Sequence, residues 1–333
     1  MTILIDHNEP FLLAHGGLQV QIERTKMALE GAGLRVEHLR WWDDAQRGDI
    51  IHFFGRANPS HIDFAHGKGI KYVLQELLTS QGSRSVTHLR LQAAANRFLR
   101  KALPSNYRLP LRWDSYQKAD AIIAITDWEA MIMRELFDAP PQRIRVVPNA
   151  VDDVFFRRDS KPDRDHLICV ATITERKRVL EIAEAAIMAK TPLKVVGKPY
   201  SEGDPYFLKF YETVQASQGL LEYLGPIQNP EALAARLHAA RGFVLPSTME
   251  TQSLAALEAA AVGLPLLLSD LPWARATFQT NATYLPLCSS LLLADYLKSF
   301  FDLALRLPAP PRPQRWSEVA QRLQAIYRSV KRR

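Results

Sequence analysis

Short apolar runs alternate with longer stretches of mixed polarity from one end of the chain to the other. In the first half the runs are Thr2–Ile5, Arg35–Leu39, Ile50–Phe54, Lys71–Gln75, Ala121–Ile125 and Arg145–Val147. Leu18, Ile22, Leu29 and Ala32 recur at helical spacing directly behind Gly16 and Gly17, so a strand, a glycine turn and an amphipathic helix follow one another. In the second half the alternation restarts with Leu167–Ala171, Leu193–Val196, Leu221–Leu224, Gly242–Leu245, Pro265–Ser269 and Thr283–Pro286. A proline-rich stretch from Leu307 to Pro313 then precedes a last amphipathic helix, expected from Trp316 to Val330. Strands that alternate with helices are the mark of βαβ units and parallel sheets. The chain therefore reads as two Rossmann-like, doubly wound α/β domains.

The break between them is the run RRDSKPDRD at 157–165, which is polar, contains proline and has no periodicity. Such a run suits a linker, and it places the boundary near 155. Length agrees, because 333 residues exceed the roughly 250–300 at which one hydrophobic core stops growing. Doubly wound sheets bind ligands beyond the carboxyl ends of their strands, so two in tandem predict a cleft between domains.

Composition narrows the class. Hydrophobic residues at 47% and charged residues at 23% are those of an ordinary globular protein rather than a disordered or fibrous one. Cys169 and Cys288 lie far apart among apolar neighbours, which supports neither a disulfide framework nor a zinc site. No run of about 18 apolar residues occurs and no signal peptide is visible, so a cytoplasmic location is expected. The net charge of +7 favours anionic partners without choosing among them. Arg84, Arg90, Arg97, Arg100, Lys101, Arg108 and Arg112 interleave with Leu89, Leu91, Phe98, Leu99 and Leu103. That pattern fits a helix packed on its own domain with a solvated basic face, or one resting on anionic lipid at the inner face of a membrane. Nucleic acid is not expected, because no recognition motif accompanies the charge.

Chemistry concentrates in LPSTMETQSLAALEAAAVGLPLLL at 245–268, a strand, short loop, alanine-rich helix, glycine stop and second strand. If Thr251 to Leu254 open the helix, their free N–H groups and the helix dipole form an anion site. Glu250 precedes that start, and Glu258 lies roughly 10 Å along the axis. A diphosphate at the helix start with a polar sugar reaching the carboxylates fits this spacing.

At this point the sequence resembles the retaining glycosyltransferases of family four, which have the GT-B fold and a Glu, seven residues, Glu motif here. HGG at 15–17 resembles the family's N-terminal glycine turn, and DAIIAIT at 120–126 its interdomain-facing strand. RIRVVPNAVDDVFF at 143–156 is similar to the segment ending its first domain, and VATITERKR at 170–178 to the variant with Arg-Lys at the start of the next domain's first helix. The Trp316 helix resembles the one that crosses back to the first domain. The resemblance implies a first domain of 1–155 plus 316–333 on the acceptor side and a donor domain of 156–315. It also implies sugar transfer from a nucleotide-diphosphate sugar to a saccharide or lipid-linked acceptor in polysaccharide or glycoconjugate assembly, with retention and without metal or other cofactor.

Carried over by position, Glu250, Lys177 and Arg176 form the catalytic set. Glu250 meets the transferred sugar while the two cations neutralise the departing diphosphate. Glu258 holds the ribose hydroxyls. Gly16, Gly17, Thr172, Thr251, Gln252, Ser253 and Leu254 complete the donor site, with Lys198 and Ile227 in the segments expected around the base. Gln75, Glu76 and Asn149 fall on the acceptor or sugar side. The sequence departs from the family at several of these positions. Gln75 and Glu76 stand where a histidine is usual, Thr172 where arginine is frequent, Ala150 in place of the glycine of PNG, and Ser253 in place of a loop glycine. These departures leave open an alternative, a GT-B-like protein that binds nucleotide sugar without turning it over. Asp163-Arg164-Asp165 has the form of an acidic metal-binding pair but lies in the linker, and no metal is expected there.

Overall fold

The computed structural model describes residues 1–9, 11, 16–108, 111–157 and 164–332. Twelve strands form two separate six-stranded sheets, parallel throughout. The first comprises β1 (Thr2–His7), β2 (Arg35–His38), β3 (Ile50–Phe54), β4 (Lys71–Gln75), β5 (Ala121–Ala124) and β6 (Ile144–Val146), in the order β2-β1-β3-β4-β5-β6. A two-residue strand, β7 (Ala150–Val151), follows. The second sheet comprises β8 (Leu167–Val170), β9 (Leu193–Val196), β10 (Leu221–Tyr223), β11 (Gly242–Leu245), β12 (Leu266–Ser269) and β13 (Thr283–Leu285), ordered β10-β9-β8-β11-β12-β13. Each apolar run in the sequence became a strand because helices cover both faces of a doubly wound sheet. β3, with Ile50, Ile51, His52, Phe53 and Phe54 all buried, shows this most fully.

The chain divides into two compact units, Met1–Asn149 with Trp316–Arg333, and Ala150–Arg315. The division falls between Asn149 and Ala150 rather than at 155. β7 pairs with β14 (Gln314–Arg315), and Phe155 packs into the second core. The residues that look like the end of the first domain are therefore bound into the second. The expected linker lies mostly outside the described residues, which do not include 158–163.

The terminal helix Trp316–Lys331 belongs to the first unit and packs on the helix Gly17–Gly31. Its anchor is polar: the buried Tyr327 hydroxyl lies 2.7 Å from Nδ1 of His52, itself at 0% exposure in the middle of β3. Burial pushes the His52 imidazole down to about 3, so it stays neutral and the tie holds at all physiological pH.

Candidate functional site in the second unit

In the second sheet the chain order of strands reverses between β8 and its neighbour β11, and loops leaving the carboxyl ends of two such strands converge. The loop after β8 forms a 3-10 turn, Glu175–Lys177, followed by Arg178 in the left-handed conformation at φ 56° and then the helix Val179–Met188. Arg176 and Lys177 thus occupy the turn ahead of the helix rather than its first residues. A cation at a helix start opposes the helix dipole and so needs an anionic partner. In the turn that requirement comes from geometry instead.

The loop after β11 supplies the partner. The Glu250 side chain, 7% exposed as a residue, accepts from Ser247 Oγ at 2.8 Å and Arg176 Nη1 at 3.2 Å, and is paired with Lys177 Nζ. Arg176 Nη1 also donates to Met249 O at 2.6 Å. The two loops are stitched by backbone as well: Arg176 O accepts from Thr248 N at 2.8 Å and from Ser247 Oγ at 3.1 Å. Ser269 at the end of β12 donates to Ser247 O at 2.7 Å. Three adjacent strand ends therefore hold one carboxylate between two cations.

The helix after Glu250 runs Leu254–Ala261, with Ser253 as its N-cap. The expectation that Thr251 to Leu254 open the helix is corrected by three residues. Ser253 Oγ accepts from Ala256 N at 3.3 Å, which satisfies one of the four N–H groups a helix start leaves over. The remaining first-turn amides still present the positive end of the dipole. Thr251 and Ser253 are buried, and Gln252, Leu254 and Glu258 half-buried. Glu258 stands four residues in, about 6 Å along the axis, one turn rather than two.

The other expected donor positions lie along β8 to β10. Gly197 has φ +148°, and a Cβ there would stand 1.8 Å from Ala171 O, so only glycine allows the ends of β8 and β9 this close approach. Amides on either side of Thr172 are fixed there, with Ala171 N donating to Val196 O at 3.0 Å and Ile173 N to Lys198 O at 3.1 Å. The Lys198 side chain is exposed, and Ile227 packs against the second core.

In the first unit Gly16 caps the helix Gly17–Gly31, and a Cβ on it would meet nothing within 4 Å. Crowding does not require glycine there. His15 of the HGG motif lies outside the described residues. Asn149 is buried and accepts from Gln21 Nε2 at 2.6 Å. Gln75 ends β4 at 5% exposure. Glu76 is bound by Arg56 Nε at 2.9 Å and by the Tyr116 hydroxyl, with the Arg56 guanidinium 4.1 Å from the centre of the Phe137 ring. That cluster is a clamp within the unit.

Sequence reading passed over Ser247, Ser269 and Glu129. Glu129 is fully buried and accepts from the amides of Leu78 and Ile125, each at 2.8 Å. Burial raises its carboxyl to about 8. The spacing Thr126-x-x-Glu129 carried a signal for it as a capping box, but the carboxyl reaches Ile125 and Leu78 instead. Among the described residues no group of three or more His, Cys, Asp or Glu side chains is placed to hold a metal. Asp163 lies outside them, and Asp165 pairs with His166 at 2.6 Å.

Two parallel, doubly wound domains, the second with its charged cluster at the reversal of strand order, define the GT-B type of α/β protein. The comparisons agree. The profile described as Glycosyl transferases group 1 matches residues 164–298, and that of Glycosyltransferase Family 4 matches 24–155. A D-inositol 3-phosphate glycosyltransferase of Catenulispora acidiphila is 31% identical over 170 residues, 45% of this chain and 40% of that protein. The match thus spans well under half of that relative. Among solved structures, a sucrose-phosphate synthase of Thermosynechococcus elongatus superposes with a TM-score of 0.69 at 16% identity, covering 99% of this chain and 98% of its own. The Anabaena protein HepE in complex with UDP gives 0.66 at 13%, covering 100% and 98%. The chain belongs to the group-one glycosyltransferases of the family-four type.

Proposed function

We propose that this protein moves a sugar from a nucleotide-diphosphate sugar to a saccharide or lipid-linked glycan acceptor in glycoconjugate or polysaccharide assembly, with retention of configuration and without a metal. The observation that carries the reading is the convergence of Arg176, Lys177 and the start of the helix Leu254–Ala261 at the carboxyl ends of β8 and β11. A departing diphosphate needs charge-assisted donors fixed in advance. Two cations and a helix N-terminus supply them with no metal required. Glu258 is assigned to the ribose, and Thr172, Lys198 and Ile227 to the nucleoside side, on the family resemblance.

Thermal melting against UDP, GDP, ADP, CMP and their sugars tests the reading, with UDP first because a structural neighbour is described in complex with it. A nucleotide at about 100 times its dissociation constant stabilises by about 2.7 kcal/mol, an upward shift of several degrees. Donor hydrolysis is then followed with and without EDTA. No shift with any nucleotide overturns the proposal, and loss of turnover in EDTA overturns metal independence. The commitment of Glu76 to Arg56 and Tyr116 favours a second reading, binding without turnover. Stabilisation by nucleotide sugar with no hydrolysis would select it.

The helix Val86–Ala102 supports a peripheral membrane contact at an inner leaflet. It packs on the helix Asp127–Phe137 through Leu89 and Ala93. On its other side Leu91 and Phe98 are 66% and 71% exposed, beside the exposed Arg90, Arg97 and Lys101, and the helix contains no acidic residue. The basic stretch is thus not one helix from Arg84 to Arg112, and Arg100 is spent on Asp114 and Asp138. Vesicles of phosphatidylglycerol should sediment the protein and phosphatidylcholine should not. Replacing Leu91 and Phe98 together with Ser should abolish sedimentation, and equal binding to both vesicles removes the reading.

A further inference from the structure

The two cations of the site share one partner within the protein. Lys177 and Arg176 both reach Glu250 Oε1, which Ser247 Oγ holds from a third side. The Glu250 and Lys177 side chains are only 10% and 13% exposed, against 33% for Arg176. A carboxylate so placed lies in poorly screened surroundings, where each charge pair is worth more than in water. A diphosphate entering the same site must take its contacts from these cations while Glu250 repels it.

We infer that Glu250 is a resident counter-ion: it holds Arg176 and Lys177 in position between turnovers, yields them to the incoming diphosphate, and recaptures them to expel the nucleoside diphosphate product. The inference rests on the donor-site reading and deepens it. A sugar-contact role alone would place the carboxylate towards the hexose and leave the affinity for bare nucleoside diphosphate independent of its charge. A counter-ion makes that affinity rise when the charge is removed, even as turnover falls. Charge balance says the same. Arg176, Lys177 and Glu250 sum to one positive charge, and neutralising Glu250 leaves two for the same anion. Gln at 250 keeps an oxygen to accept from Ser247 and from the cations, so the loop geometry survives while the competition ends.

Wild type, Glu250→Gln and Glu250→Asp are titrated with UDP, GDP, ADP and uridine by calorimetry at low salt and at 0.5 M salt. Whichever diphosphate wild type binds should bind Glu250→Gln roughly fivefold or more tightly at low salt, the gain of about 1 kcal/mol expected for one relieved charge pair at this exposure. The ratio should shrink at 0.5 M salt. Glu250→Asp keeps the charge and should stay within about twofold of wild type, and uridine, without phosphate, should not distinguish the proteins. Transfer by Glu250→Gln should be slower, with product release as the limiting step. Equal or weaker diphosphate binding by Glu250→Gln, with Glu250→Asp folded and binding, overturns the inference while leaving the donor site intact. Failure of wild type to bind any of the three diphosphates overturns the donor-site reading itself.

Discussion

The two units place a carboxylate in the same kind of position and use it in opposite ways. In the second, Glu250 follows β11 and is held by Ser247, Arg176 and Lys177, with Arg176 still one-third exposed. In the first, Glu76 follows β4 and is held by Arg56 and Tyr116, with the guanidinium lying against Phe137 and the Tyr116 ring stacked on Phe137 at 4.9 Å. Aromatic walls fix the first cluster, and the second is fixed by loops at the point where strand order reverses. Parallel sheets put polar groups at strand ends in both cases. Only at the reversal of strand order do the cations stay within reach of a ligand.

The comparison breaks most sharply at the cations. Replacing Lys177 with Ala should lower turnover by about 10²–10³-fold, the loss typical of a donor that stabilises developing negative charge, while thermal melting moves little. Replacing Glu76 with Ala should do the reverse. It leaves Arg56 without its carboxylate among aromatic rings, and such orphaned charges cost on the order of 3 kcal/mol. Denaturant unfolding should show that loss while nucleotide binding stays unchanged. If Glu76→Ala spares stability and removes transfer, the two clusters do the same work and the contrast fails.

A pH titration sharpens the first unit's side of the comparison. Glu129 keeps its proton in the folded protein up to about 8, because burial outweighs the two amides it accepts from, whereas an unfolded glutamate releases it near the ordinary value of about 4.3. Between those values the folded state binds the extra proton, so stability falls as pH rises, by at most about 1.4 kcal/mol per pH unit. Glu129→Gln removes that proton exchange and should flatten the fall between pH 5 and 8 in chemical denaturation. An unchanged slope would mean that other groups set it.

Most of the architecture was legible because a doubly wound sheet turns buried strands into unmistakable apolar runs. All twelve principal strands sit where those runs do, with ends moved by no more than two residues. The pair β7 and β14 was not legible, since two residues carry no period and their pairing joins positions far apart in sequence. The meeting of Arg176, Lys177 and Glu250 could be expected from family motifs, yet the sequence did not imply that they bind one another. That depends on β8 lying beside β11, a fact of topology. Ser247 was passed over for the same reason, because a serine near a strand end signals nothing until its partner is known. The helix start was misplaced by three residues because Thr251, Gln252 and Ser253 all suit a helix entrance, and only the bond from Ala256 N to Ser253 Oγ decides among them.

That bond gives the smallest test. Ser253 stands where the family resemblance implies a loop glycine, and its hydroxyl spends one helix-start amide that an anion would otherwise receive. At an N-cap, serine to alanine costs about 1 kcal/mol and serine to glycine only a few tenths, so Ser253→Ala should melt lower than Ser253→Gly. Both release Ala256 N–H towards the site proposed for the diphosphate. Nucleoside diphosphate affinity should therefore hold or rise, by less than about threefold, in the glycine variant. A fall in affinity would place the Ser253 hydroxyl itself on the phosphate, and would mean that this cap is broken when donor binds. The second unit would then rearrange its helix start as well as its ion pairs on each cycle, a change the aromatic clamp around Glu76 does not permit in the first.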